Sequence, residues 1–178
     1  MKILKKISIL FQFLKHINSL FMVFILILRN IYSIKLILSP NEYIDSIIIK
    51  EGFYESEITE SILKIIEDGD VFWDIGSNIG CHAIAINSTK PNSKVICFEP
   101  NPHTLHKLLK NIKINNCNIE VFQTPLSDDS KSLDLYLMYG NSGMSTITPW
   151  SDFSYSEKKF STSLELATLN FFKTSLSP

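Results

Sequence analysis

The sequence predicts an α/β fold built on a buried parallel sheet, and three observations carry that expectation. Short apolar, β-rich runs, VFWDI at 71–75, KVICF at 94–98 and EVFQ at 120–123, read as strands buried on both faces. Helical stretches at about 79–88 and 102–115 lie between them, and this alternation is the pattern of right-handed βαβ units. Gly76 and Gly80 directly follow the first strand, where a parallel sheet aims its carboxyl ends at a crevice.

With 45% hydrophobic and 20% charged residues, the chain has the apolar content for one good core and too little charge repulsion for disorder. Its net charge of −1 conceals an asymmetry. Residues 1–41 hold six Lys/Arg and no acid, which leaves 11 basic against 18 acidic residues beyond them. This divides the chain into an amino-terminal segment, 1–40, and a body, 41–178. Arg29 is the only arginine and the body is acidic, so the chain lacks the clustered cations of a nucleic-acid surface. Cys81, Cys97 and Cys117 are scattered without a C-x-x-C pair, the pattern of free thiols in a reducing compartment rather than of a disulfide framework or a zinc site.

In the amino-terminal segment Lys2, Lys5, Ser8, Gln12, Lys15 and Ser19 recur at spacings of three or four, stacking on one side of a helix. The run LFMVFILIL at 20–28 is apolar on every face but far shorter than the roughly 20 residues that span a bilayer. A basic-striped hydrophobic helix of this kind predicts an interfacial anchor over residues 1–38 on an anionic membrane surface, with the protein on the cytoplasmic side. A tilted single span and an extra helix covering the body are the rival readings. No small-x-small site follows the run, which disfavours a cleaved signal peptide.

Ser39-Pro40-Asn41 punctuates the passage into the body. Residues 43–50 and 57–67 place apolar side chains at helical intervals, with Gly69 past the end of the second. Within 102–115 the same interval puts Leu105, Leu108, Leu109 and Ile112 on one face. Beyond Asp128-Asp129 the pattern changes: 133–139 and 144–148 alternate around GNSG, as a hairpin or lid over the strand ends would. The Ser-rich piece 151–163 reads as loop, and SLELATL at 163–169 as a further strand.

The glycine loop is D-x-G-x-x-x-G. Ser77-Asn78-Ile79 interrupts the G-x-G-x-x-G of a dinucleotide fold, and no G-K-[ST] follows, which excludes a Walker loop. Glu99 ends the next strand, 25 residues after Asp74, where a carboxylate accepts both ribose hydroxyls of an adenosine group. Asp74, beside the glycine turn, suits an ammonium better than a phosphate. A ligand with both an ammonium and a ribose is S-adenosylmethionine rather than ATP or NAD.

Several ordered motifs, GFYESEIT (52–59), DVFWDIGSNIG (70–80), VICFEPNPHTLHKLLKNIKIN (95–115), TPLSDDSKSLDLYL (124–137) and GNSGMSTI (140–147), resemble the FkbM family of S-adenosylmethionine-dependent methyltransferases across about 43–170. The resemblance implies a Rossmann-like class I methyltransferase, a three-layer sandwich on a parallel central sheet, acting on a hydroxyl of a sugar, glycan or natural product. It implies that Asp74, Gly76, Ser77, Asn78 and Gly80 form the first cofactor motif and Glu99, Pro100 and Asn101 the second. It places Glu57 near the cofactor's amino-acid end, Ser127 beside the adenine, and 140–147 in a substrate-facing loop. Family members continue past a stretch like SLELATLNFF with a strand of the type I-K-I-D-x-E-G and further elements. Here Asn170 stands where an Asp is usual and the sequence ends at Pro178, so the resemblance implies a sheet incomplete in its carboxyl-terminal half. A non-catalytic, cofactor-binding remnant is the alternative function, and an NAD-dependent enzyme a remote third.

An alcohol acceptor needs a base or a metal to take its proton, and the sequence assigns neither. His82, just after the glycine loop, reads more readily as a packed side chain than as a base. His103 and His106 are three apart on a helix without a third ligand at metal-binding spacing. Trp73 and Phe98 lie in strand patterns and read as core, and Trp150 is ambiguous.

Overall fold

A computed structural model describes residues 25–27, 32–127, 134–138, 140–147, 159–160 and 167–168. Its centre is a parallel sheet of three strands, β3 (Val71–Ile75), β4 (Lys94–Phe98) and β5 (Ile119–Phe122), in the order β3-β4-β5. Asp74 lies opposite Cys97 and Ile75 opposite Phe98, so the strands end level with one another at the carboxyl edge. Among the described residues no strand pairs with the other edge of β3.

Among the described residues four α-helices accompany the sheet: α1 (Tyr43–Glu51), α2 (Ser56–Ile65), α3 (Cys81–Thr89) and α4 (Pro102–Asn115). Between α3, α4 and one face of the sheet lies the main core, where Ala83, Ile84, Ala85, Ile86, Val95, Cys97 and Leu108 are almost wholly enclosed. The opposite face carries Ile96 and Phe98 with Trp73, Phe122 and Leu126. Phe98 stacks on Phe122 at 5.5 Å and leans on Trp73 at 5.4 Å, as core residues in adjacent strands should. The second helical layer of a three-layer sandwich is not among the described residues. On α4, Leu108 and Ile112 are buried but Leu109 is exposed. A face 100° wide accommodates only part of the expected apolar quartet.

The amino-terminal expectation is corrected where the structure describes it. A helix was expected through the apolar run 20–28, but Ile25–Ile27 form a strand, β1, pairing antiparallel with β2 (Leu36–Leu38). Residues 34–38 belong to the body, since Ile34, Leu36 and Leu38 are buried in the main core. The other edge of β2 is satisfied by α4. Asn111 Oδ1 accepts the Ile37 N–H at 2.7 Å, Asn115 Oδ1 accepts the Lys35 N–H at 2.8 Å, and Asn115 Nδ2 donates to the Lys35 carbonyl at 2.6 Å. Strand backbone cannot be buried without partners, and these amides stand in for a neighbouring strand. Residues 1–24, and with them the basic stripe, lie outside the described residues. Among the described residues no helix is long and apolar enough to cross a membrane.

After β5 the chain forms β6 (Leu126–Ser127), β7 (Leu135–Tyr136), a 3₁₀ turn at Ser142–Met144, β8 (Lys159–Phe160) and β9 (Ala167–Thr168). β9 lies within the strand expected at 163–169 and pairs parallel with β6. The expected hairpin between 133–139 and 144–148 reduces to a single bridge, Tyr136 to Thr146, and β7 pairs instead with β8. Lys159–Phe160 is therefore strand inside the stretch read as loop. Trp150 lies outside the described residues.

Candidate functional site

Two turns at the carboxyl edge make the site. The first leaves β3 at Asp74. Gly76 and Ser77 both donate their N–H to the Phe98 carbonyl, at 2.8 and 3.2 Å, and Ser77 Oγ donates to the Asp74 carbonyl at 2.6 Å. Gly76 has φ +79°, a left-handed backbone that only glycine adopts freely, and nothing lies within 4 Å of where a Cβ would stand. Gly80 (φ +82°) is also left-handed, but for a different reason. A Cβ there would collide with Leu108 Cδ1 and press on Ile84 Cδ1 at 3.3 Å. Gly76 leaves open space at the turn, whereas Gly80 lets α3 close onto α4.

The second turn leaves β4 at Glu99, which is 5% exposed. One carboxylate oxygen accepts the Asn78 N–H and the other the Asn101 N–H, both at 2.8 Å. Pro100, half-buried, spans Glu99 and Asn101. Asn101 then caps α4, its Oδ1 accepting the His103 N–H at 3.0 Å, with Pro102 at the first helical position. Thus Asp74, Gly76, Ser77, Asn78, Glu99, Pro100 and Asn101 converge on one rim, and Gly80 supports it from behind.

Burial pushes both carboxyls upward. Asp74 rises to about 6, with the Ala83 N–H as a partial counterweight, and its Oδ2 is sealed from solvent with no partner. Glu99 rises to about 7 through burial, against the opposing pull of the Asn101 and Asn78 N–H groups. Burial, with Asp74 nearby, also lifts the Cys81 and Cys97 thiols to about 12. They remain protonated core groups rather than nucleophiles.

The other two expected site residues stand apart. Glu57 is in the first turn of α2 with its side chain exposed, and Ser127 is placed by its backbone in β6, opposite Thr168. What the sequence did not reveal is a chain of contacts one turn away from Glu57. Thr59, fully buried, lies 2.6 Å from His82 Nδ1, and His82 Nε2 lies 3.7 Å from Glu55 Oε2. Glu55 has φ 49° at the start of α2. Burial holds the His82 imidazole below its ordinary pKa, although Glu55 pulls the other way. No local pattern announces this set, because Thr59 and His82 are 23 residues apart.

The loop 140–147 crosses in front of the rim. Asn78 Nδ2 donates to Ser142 Oγ at 3.1 Å and Asn101 Nδ2 to Ser145 Oγ at 3.4 Å. From the far side, Glu42 Oε2 accepts the Ser142 N–H and the Gly140 carbonyl accepts the Tyr43 N–H. A cavity of about 420 Å³ lies beside the rim, bounded by Ile37, Ile79, Leu137 and Met138 and by the polar groups of Asn101 and Lys107. Lys107 Nζ is bonded to buried Asp45 at 2.6 Å. Among the described residues no three His, Cys, Asp or Glu side chains are grouped to hold a metal ion.

The TRM5/TYW2 methyltransferase domain family matches residues 49–153, which include both turns and the loop in front of them. The hexuronic acid methyltransferase AglP of Haloferax volcanii is 49% identical over 57 residues, 32% of this chain and 23% of that protein. The chain thus spans about a quarter of that curated relative. Two solved structures overlap part of the fold. The tRNA (uracil-54, C5)-methyltransferase of Pyrococcus abyssi, in complex with S-adenosyl-L-homocysteine, has a TM-score of 0.42 at 19% identity, covering 58% of this chain and 24% of that one. TYW2 of Pyrococcus horikoshii, in complex with MeSAdo, has a TM-score of 0.40 at 20% identity, covering 60% and 38%.

The fold and the matched domain define a class I, S-adenosylmethionine-dependent methyltransferase domain. Within that class the chain belongs to the TRM5/TYW2 methyltransferase domain family. The matching family is not the FkbM family that the motifs resemble, and the two readings share the class I methyltransferase and its cofactor. The residues fit that cofactor. Asp74 offers a buried carboxylate oxygen without a partner, Gly76 leaves clear space, and each oxygen of Glu99 retains a lone pair for a hydroxyl beyond the N–H it accepts.

Proposed function

We propose that the protein transfers a methyl group to a hydroxyl of a sugar or glycan, with hexuronic acids as the acceptor class. The observation that carries the reading is the pair of raised carboxyls at adjacent strand ends, one with an unpartnered buried oxygen. S-adenosylmethionine supplies the sulfonium-activated methyl group when bound. Asp74 receives the ammonium, Glu99 the ribose hydroxyls, and the turn at Gly76 admits the ligand close to backbone. Displacement at a methyl group needs donor and acceptor held in line, which is what a rim fixed by two turns and a loop provides.

The acceptor class is supported by the hexuronic acid methyltransferase relative and by the FkbM resemblance. A uronate carries a carboxylate, and the cavity beside the rim is bounded on α4 by Lys110, His103 and His106 as well as by Lys107, which is bonded to Asp45, against one acid, Glu42. A polyanionic nucleic acid suits the body poorly, since its 18 acids outnumber its 11 bases.

Calorimetric titration with S-adenosylhomocysteine between pH 5.5 and 8 tests the cofactor site. The ligand's ammonium and hydroxyls favour the ionised carboxylates, so affinity is expected to rise as pH increases through about 6 to 7 and to level off above. Stability of the free protein should run the other way. A folded-state pKa raised from 4.5 to about 7 means that the folded chain holds more protons across that interval, so stability falls as pH rises through it. Absence of binding at every pH would overturn the reading. Labelled methyl transfer to uronic-acid glycans then tests the acceptor, and binding without transfer to any hydroxylated acceptor would favour a non-catalytic binding domain.

We also propose a cytoplasmic protein held at an anionic membrane surface by its basic amino-terminal segment. Because Ile34, Leu36 and Leu38 are core residues, the informative deletion is of residues 1–24 rather than 1–38. Undiminished binding of the shortened chain to anionic vesicles would reject the anchor.

A further inference from the structure

Asn78 and Asn101 belong to different turns, after different strands, and yet make the same three contacts. Each donates its backbone N–H to one oxygen of Glu99, at 2.8 Å. Each uses its side-chain oxygen to accept a nearby backbone N–H, that of Ile79 at 2.9 Å and that of His103 at 3.0 Å. Each then presents its remaining amide nitrogen to a serine of the same loop, Ser142 or Ser145. With the oxygen of each amide already engaged, the orientation of the nitrogen is fixed, and the loop receives two donors from a single rigid frame. That frame is centred on the carboxylate expected to receive the ribose.

We infer that Asn78 and Asn101 are positioning residues that couple cofactor binding to the 140–147 loop, the loop being held against the rim more firmly when Glu99 is engaged. The inference rests on the methyltransferase reading above and deepens it. Coupling requires a ligand to interact differently with two states, and the carboxyl of Glu99 supplies the difference. Ionised, it accepts both N–H groups in charge-assisted bonds. Protonated, one of its oxygens carries a proton and accepts more weakly. Burial keeps the group near the balance point, so hydroxyl donors that favour the ionised form tighten both asparagines together. The loop's other tethers, Glu42 to the Ser142 N–H, Tyr43 to Gly140 and the pair of backbone bonds between Tyr136 and Thr146, come from α1, the residue before it and β7, and do not touch Glu99.

Amide hydrogen exchange of the full chain reads the coupling. S-adenosylhomocysteine and 5′-deoxy-5′-methylthioadenosine, which both carry the ribose, should slow exchange in 140–147 by about tenfold, within the usual range of coupling between sites. Methionine, which lacks the ribose, should not. In the Ser142→Ala/Ser145→Ala double variant the ligand-dependent slowing should disappear. Its affinity for S-adenosylhomocysteine should fall by no more than the lost protection factor, because linkage is reciprocal. Binding with unchanged exchange in 140–147 overturns the coupling, and slowing that survives in the double variant overturns the route through the two asparagines. Failure of the wild type to bind either nucleoside overturns the underlying function, and the coupling with it.

Discussion

Glu99→Ala is expected to lower affinity for S-adenosylhomocysteine by about a hundredfold at pH 8. A hydrogen bond to a charged group contributes about 1.5–3 kcal/mol, and about 2.7 kcal/mol corresponds to that factor. The substitution also leaves the Asn78 and Asn101 N–H groups without their acceptor, at a cost of roughly 1–3 kcal/mol for each that stays dry. Removing a carboxyl that burial disfavours in its charged form offsets part of that loss at high pH. The variant should therefore lose more stability, relative to wild type, at pH 5 than at pH 8. Glu99→Gln keeps one acceptor and separates the two effects, with weakened binding and a smaller change in melting temperature. Wild-type affinity in Glu99→Ala would remove Glu99 from the site.

Gly80→Ala should be the most destabilising single change in the glycine loop. The left-handed backbone costs a residue with a Cβ roughly 1–2 kcal/mol, and overpacking a filled core costs roughly 1–3 kcal/mol more. Leu108, the side chain in the way, is completely buried, so its methyl group can move only by displacing other core side chains. A total near 3 kcal/mol corresponds to a fall of roughly 6–12 °C in melting temperature for a chain of this size. Gly76→Ala meets nothing within 4 Å, so its stability cost should be the backbone term alone, while cofactor affinity falls because the methyl group occupies ligand space. Scanning calorimetry and titration of both variants test this division. Equal melting shifts for the two would show that the packing of Gly80 on Leu108 has been misread.

The parallel sheet and its helices were legible because the signals are local. VFWDI and KVICF are strands over the very residues of their short apolar runs, although Val71 and Ile75 of β3 are exposed where burial on both faces was expected, because no described strand covers that edge, and α4 spans 102–115 as its periodicity predicts. The rim at the carboxyl edge was legible for a related reason: Asp74, Gly76 and Glu99 owe their places to strand ends, which sequence marks well. What was not legible depends on long-range pairing. Ile25–Ile27 and Leu36–Leu38 are apolar on all sides, and only their pairing with each other and the asparagines of α4 decides that they are strands. Thr59 lies in the helical pattern of 57–67, but its hydroxyl serves His82 from 23 residues away, and Glu55 opens the helix without a side-chain cap. Helical spacing likewise could not tell Leu109 from Leu108, because the width of the buried stripe is set by the neighbour it meets.

The amides that hold β2 have a temporal consequence. Lys35 and Ile37 bond to side chains 80 and 74 residues further along the chain. On a ribosome making roughly 5–20 residues per second, the amino-terminal strand waits several seconds before its partners in α4 have been synthesised. Throughout that interval the most apolar part of the sequence is already outside the tunnel without its final neighbours. The order of manufacture thus presents β2 to its surroundings well before the side chains that satisfy its edge exist.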